Sequence, residues 1–315
     1  DTPSVLTIHN LAYRGLFDKE IMTTLGLPWS RFTLDDFEYF DQLSFLKAGI
    51  ASAAAVTTVS PSYAREILQP GTGQELAGFL AERARHLTGI LNGIDTEAWD
   101  PATDPALPAR YHRDDLAGKL ACRKALAREL DLTLGPGTLL AGMVSRFAEQ
   151  KGLDLVAELV PELDELGISL VVLGTGEAVL EERFRLLAAR HPTALTVRVG
   201  FDVRLARRIY AGCDALLMPS RFEPCGLNQL YAMRYGTVPI VHAVGGLRDS
   251  VDDTTGIRFD HADVPGLRWA VTRAAEIFRG EPAVWRAMVG AGMARDWSWD
   301  QSARAYLDLY RRIVT

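Results

Sequence analysis

From residue 138 onward the chain repeats one rhythm: a short apolar run, a polar or glycine-bearing loop, then a segment with apolar residues every three or four positions. Strand candidates at 138–144, 169–173, 195–199, 214–218 and 238–242 alternate with helix-period segments near 152–165, 177–190, 202–211 and 226–235. Apolar runs of this length, without polar alternation, suit strands covered on both faces. Their alternation with helices predicts an α/β fold built on a doubly wound parallel sheet. Beyond Gly246 no further strand is predicted, and 264–279, 282–294 and 300–314 read as amphipathic helices. The last of these carries one apolar stripe, Ala303, Tyr306, Leu307, Tyr310 and Ile313.

The first third repeats the theme less fully. Residues 4–8, 56–59 and 87–91 are short apolar runs that read as parallel strands, with a helix over 44–55 between the first two. Ser60 followed by Pro61 predicts an N-cap and first helical position for a helix reaching about Leu68. Pro101, Pro105 and Pro108 place an inter-domain connection within 98–112. With 315 residues, 48% of them hydrophobic, there is material for two cores.

A formal charge of −6 argues against general affinity for nucleic acid or an anionic membrane, so an anionic substrate needs a few placed cations. Cys122, Cys213 and Cys225 are odd in number and lack C-x-x-C spacing, which disfavours a disulfide framework or zinc site and points to a reducing, cytoplasmic setting. No run approaches the roughly 20 apolar residues of a membrane helix. The chain opens at Asp1 and enters a strand almost at once, the reading expected of a fragment.

Three strand-to-helix junctions carry the candidate chemistry. Arg146 and Lys151 lie in the loop between the strand at 138–144 and a helix entered at Leu153, where ligands of open α/β sheets bind. The same loop reads equally well as two solvated cations. Glu223 precedes Pro224, so its backbone should be extended and its carboxylate turned towards the same crevice, or else it serves the dipole of the following helix. Gly245 and Gly246, before a short helix at about 247–252, could let backbone approach a phosphate or sugar, although glycine pairs are usually turns. His9, just past the first strand, is open to a structural or a catalytic reading.

Gly174-Thr175-Gly176 after the strand at 169–173 suggests a dinucleotide site, but the third position is Val179 and no acidic ribose ligand ends the next strand. D-x-D, H-E-x-x-H, G-x-x-x-x-G-K-[ST] and G-x-S-x-G are all missing. A site that handles phosphate with Arg, Lys and helix termini, without metal or cofactor, is what remains.

Taken together, Thr7-Ile-His-Asn-Leu-Ala-Tyr13, Leu27-Pro-Trp, Ser44-Phe-Leu-Lys-Ala-Gly, Thr58-Val-Ser-Pro-Ser-Tyr, Leu91-Asn-Gly-Ile-Asp95, Ser145-Arg-Phe-Ala-Glu-Gln-Lys-Gly-Leu-Asp154 and Pro219-Ser-Arg-Phe-Glu-Pro-Cys-Gly-Leu resemble the bacterial glycogen synthases and plant starch synthases. The resemblance runs nearly end to end. It implies a GT-B fold: two Rossmann-like domains facing a cleft, the N-terminal one (1–112) incomplete, a nucleotide-sugar domain at 113–295, and a C-terminal helix (296–315) crossing back. It implies transfer of glucose from ADP-glucose to an α-1,4-glucan with retention. Arg146 and Lys151 would hold the donor diphosphate, Glu223 and His9 the transferred glucose, and Phe201 the adenine. Cys225, Gly226 and Leu227 with Gly245, Gly246 and Leu247 would complete the donor cradle, while Asn92 and Tyr13 would face the cleft on the acceptor side.

The family's K-x-G-G-L opening segment is missing, the stretch from Val251 is short, and Tyr231 stands where the broader retaining class has a second glutamate. The rivals are another retaining GT-B transferase with a different sugar nucleotide, and a nucleotide- or glucan-binding fragment without activity.

Overall fold

The structure, a computed structural model, describes residues 2–314; Asp1 and Thr315, the outermost residues of the predicted end domains, lie outside the described residues. The chain folds into two units, one formed by the residues up to Asn92 together with those from Asp300 onward, the other by Gly93–Trp299.

The first unit contains strands β1 (Val5–Ile8), β2 (Leu16–Asp18), β3 (Glu38–Tyr39), β4 (Gln42–Ser44), β5 (Ala55–Thr58) and β6 (Leu87–Gly89), and helices α1 (Ile21–Thr24), α2 (Phe45–Ser52), α3 (Pro61–Glu66) and α4 (Ala77–Glu82). The predicted parallel strands form one sheet in the order β1-β5-β6. Ser44 caps α2 by accepting from Lys47 N, and Ser60 caps α3 by accepting from Tyr63 N with Pro61 in the first turn. The sequence reading did not anticipate the antiparallel sheet β2-β4-β3. Its strands hold only two or three residues, too few for a period-two pattern, and a separate core of Met22, Phe37, Leu43 and Ala48 supports it.

The second unit carries β7 (Leu139–Val144), β8 (Ile168–Gly174), β9 (Leu195–Val199), β10 (Ala215–Met218), β11 (Val238–His242) and β12 (Ile257–Phe259). Its helices are α5 (Ala117–Glu129), α6 (Leu153–Leu159), α7 (Ala178–Arg190), α8 (Val203–Gly212), α9 (Asn228–Arg234), α10 (Gly245–Ser250), α11 (Val264–Gly280) and α12 (Pro282–Ala294). All six strands are parallel, in the order β12-β11-β10-β7-β8-β9. Every residue of β10 and β11 is buried, and all but His242 are apolar, as suits strands covered on both faces. Each such Leu, Ile or Val contributes about 2 kcal/mol through its removal from water.

Two expectations are corrected here. A strand does follow Gly246: β12 adds three residues to the sheet edge beside β11, too short to stand out against the loop around it. The stretch 98–112 is no free connection but is bound to the second unit. Trp99 stacks on Tyr231 with ring centroids 3.9 Å apart, Arg234 donates to Asp100 at 2.6 Å, Arg207 to Asp104 at 2.9 Å, and the Tyr111 hydroxyl to Tyr235 O at 2.8 Å. The chain enters and leaves the second unit side by side, Ile94 bridging Ser298. The final helix, α13 (Trp299–Val314), then belongs from Asp300 to the first unit, where Ser302 donates to Leu91 O at 2.5 Å.

Candidate active site

β7 and β10 are neighbours in the second sheet although two strands intervene between them in sequence, and the winding reverses there. Loops leaving the carboxyl ends of two such strands must part to opposite faces, which opens a crevice. The loop after β7 carries Arg146 and Lys151; the loop after β10 carries Glu223.

The two loops are joined directly. Lys151 Nζ lies 2.5 Å from Glu223 Oε2, and Ser220 Oγ donates to the same oxygen at 3.0 Å. Glu223 is 6% exposed, so its carboxylate is held by a cation and a hydroxyl rather than by water. Both partners occupy Oε2, which leaves Oε1 to accept from a ligand, and Lys151 retains two of its three N–H donors. Gln150 ties the remaining parts together: its Oε1 accepts from Arg146 Nη2 at 3.2 Å, its Nε2 donates to Phe222 O at 3.1 Å, and its carbonyl accepts from Arg221 N at 2.9 Å. Gly152 makes this approach possible, since it sits at φ 67° and a Cβ there would lie 2.2 Å from Pro219 O.

The third loop joins through Gly246 N, which donates to Glu223 O at 3.0 Å. Gly245 and Gly246 are themselves the first turn of α10, not a turn ahead of it as the sequence reading had it; with Val244 extended, the helix starts as soon as β11 ends. The Gln229 amide donates to Cys225 O, Gly226 O and Ser250 Oγ, fixing the turn that contains Cys225, Gly226 and Leu227. Gly245, Gly246, Leu247 and Cys225 are buried, while Leu227 reaches the surface.

Beside this cluster lies a cavity of about 310 Å³, whose walls include Arg146, Gly174, Thr175, Phe201, Trp99 and Tyr231. Phe201, 89% exposed, stands among the lining residues. Trp99 and Tyr231 form the stacked pair already described, with the Arg207 guanidinium 4.1 Å above the Trp99 ring. Sequence reasoning missed Gln150, Ser220, Asn228 and Trp99 as site residues. Gln150, Asn228 and Trp99 act through partners distant in the chain, as when Asn228 donates to Val144 O at 2.5 Å; Ser220 acts through Glu223 three positions on, and only its nearness to Glu223 and that of Gln150 to Lys151 offered a hint. His9, exposed just past β1, and Tyr13 and Asn92 belong to the first unit. Among the described residues, no group of three or more His, Cys, Asp or Glu could hold a metal ion, and no helix is long and apolar enough to cross a membrane.

A parallel sheet wound in this order, with cations and a buried carboxylate at its reversal, places the second unit in the class of open α/β folds whose ligands bind at a switch point. Comparison with known proteins specifies it further. Residues 1–82 match the family model described as starch synthase catalytic domain, and 132–276 that described as glycosyl transferases group 1. A glycogen synthase of Anaeromyxobacter dehalogenans is 54% identical over 99% of this chain, which spans 66% of that protein's length. One from Thioalkalivibrio sulfidiphilus is 47% identical, with 99% and 67% covered. The catalytic domain of starch synthase IV from Arabidopsis thaliana, solved bound to ADP and acarbose, superposes with a TM-score of 0.93 at 34% identity, covering 99% of this chain and 67% of that one. The chain belongs to the glycogen and starch synthase family of glycosyltransferases, with the GT-B fold.

Proposed function

We propose that the protein transfers glucose from ADP-glucose to the non-reducing end of an α-1,4-glucan with retention of configuration. The observation that carries this reading is the meeting of Lys151 with the buried Glu223 carboxylate, beside a cavity lined by Arg146 and Phe201. The presence of ADP and acarbose, a nucleotide and an oligosaccharide, in the plant starch synthase supports it.

In this reading the base lies against Phe201, the diphosphate receives Arg146 and the free donors of Lys151, and Glu223 Oε1 accepts from a glucose hydroxyl. The roles of His9 towards glucose and of Asn92 and Tyr13 towards the acceptor rest on the family resemblance alone. The bond from the glucose anomeric carbon to the diphosphate oxygen breaks as the acceptor hydroxyl oxygen bonds to the same carbon from the same face. The hydroxyl proton passes to the departing phosphate oxygen, and ADP leaves. Charge accumulates on that oxygen, so the two cations supply the main catalytic effect, about 3 kcal/mol for each well-placed donor. We assign no metal or cofactor to the reaction, and a cytoplasmic setting is in keeping with three buried cysteines that form no disulfide among the described residues.

The test is incorporation of labelled glucose from ADP-glucose into glycogen by this chain, alone and joined to the remaining third of a longer relative's sequence. Incorporation should be unaffected by EDTA and should exceed that from UDP-glucose. No incorporation with Arg146, Lys151 and Glu223 intact would remove the enzymatic reading, and preference for UDP-glucose would replace the donor.

A further inference from the structure

The Gly174-Thr175-Gly176 motif matches no dinucleotide fingerprint, yet its Gly174 and Thr175 line the cavity that Arg146 also lines. Beyond the last residues of β7 and β8 the two chains keep pairing. Ser145 N donates to Leu173 O at 3.0 Å, Phe147 N to Thr175 O at 3.0 Å and Glu177 N to Phe147 O at 2.8 Å. Arg146 is the central residue of this extension, so its backbone is held by the glycine-bearing loop on either side. The glycines are a steric requirement of the approach: a Cβ on Gly174 would stand 1.7 Å from Ser145 O, and one on Gly176 2.2 Å from Phe147 O.

Bare glycine backbone gains no rigidity from side-chain packing, and one side chain adds to these backbone bonds in holding the loop. That is Glu181, in the first turn of α7. Its Oε1 accepts from Gly176 N at 2.9 Å and from Thr175 Oγ1 at 2.7 Å, while Oε2 takes Arg185 at 3.3 Å. The side chain is 15% exposed, and the bonds from Gly176 and Thr175 hold its carboxyl below the usual carboxylate range, as expected where the ionised form is the one bound.

We propose that Glu181 is a positioning residue of the donor site, fixing Thr175 as cavity wall and, through the paired extension, the backbone of Arg146. This rests on the reading of the cavity as the nucleotide site. Glu181 itself touches no reacting atom; it acts by holding the loop that does.

The test is calorimetric titration of ADP into the chain and its Glu181→Ala, Glu181→Gln and Glu182→Ala variants, with thermal unfolding of each in parallel. Glu181→Ala should weaken ADP about tenfold, the effect of losing two charge-assisted bonds that order a binding loop. Glu181→Gln, whose amide oxygen can still accept from both donors, should recover affinity to within about twofold of wild type. Glu182→Ala, which removes a neighbouring exposed carboxylate, should change nothing. Should Glu181→Ala unfold, Glu181→Asp takes its place: one methylene shorter, it keeps the charge but pulls the acceptor back from the loop, and should weaken ADP in the same direction. Equal ADP affinity in wild type and Glu181→Ala, or weakening without rescue by Gln, overturns the positioning role while leaving the nucleotide site intact. Failure of wild type to bind ADP overturns the site reading and this inference together.

Discussion

Arg146 and Lys151 differ in their physical situation although they share a loop and a proposed ligand. Arg146 is exposed and bonded to Gln150, whereas Lys151 compensates a nearly buried carboxylate. Replacing either by Ala should lower turnover about 100-fold or more, because each faces charge that develops as the diphosphate leaves. Their effects on stability should separate. Lys151→Ala leaves Glu223 desolvated with only Ser220 as partner and should cost about 3 kcal/mol in denaturant unfolding. Arg146→Ala should stay within about 0.5 kcal/mol of wild type. Equal stability losses would show that the Lys151–Glu223 pair contributes nothing beyond a surface ion pair.

The helices that deliver the site loops are themselves anchored by one buried cation. Lys119, on α5, donates to the carbonyls of Ala211, Cys213 and Tyr235 and to Thr237 Oγ1 at 2.8–3.1 Å, gathering the carboxyl ends of α8 and α9 around a single ammonium. Burial lowers its pKa from 10.5 to about 8, with Asp214 opposing the shift. A lowered folded-state value means that the unfolded chain binds more protons between these limits. The contribution linked to this group is therefore complete above pH 10.5 and lost as pH falls through 8. Measured against Lys119→Met, wild-type stability should rise across that window and be flat below it; a difference independent of pH would rule out titration of this amine. Truncation to Ala should cost about 3 kcal/mol at neutral pH by leaving helix-end carbonyls unpaired. The regular elements were largely legible in sequence because their apolar periods are long enough to read. β12 and the β2-β4-β3 sheet were not, since strands of two or three residues owe their existence to the neighbours they pair with.

At the scale of the whole molecule, two units should respond differently to ligand, because every donor-site residue proposed here except His9 lies within Gly93–Trp299. ADP at one hundred times its dissociation constant should stabilise that unit by about 2.7 kcal/mol, raising its unfolding midpoint by roughly 5 °C in calorimetry, with UDP shifting it less. A shift of the other unit's transition alone, or equal shifts with UDP, would place the nucleotide elsewhere or remove the base preference. What the amino-acid order by itself determined was the alternation of buried strands with helices and, through it, the delivery of Arg146, Lys151 and Glu223 to strand-end loops; these follow from local periodicity and turn chemistry, which operate over a few residues. The tertiary structure alone decided that β7 and β10 are neighbours, which brings Lys151 against Glu223 across 72 positions of sequence. It alone bound the proline-bearing stretch around Trp99 to α8 and α9, and turned an unclassified glycine motif into the brace of Arg146. Such contacts depend on which distant groups can satisfy one another once water is excluded, and no local pattern encodes that.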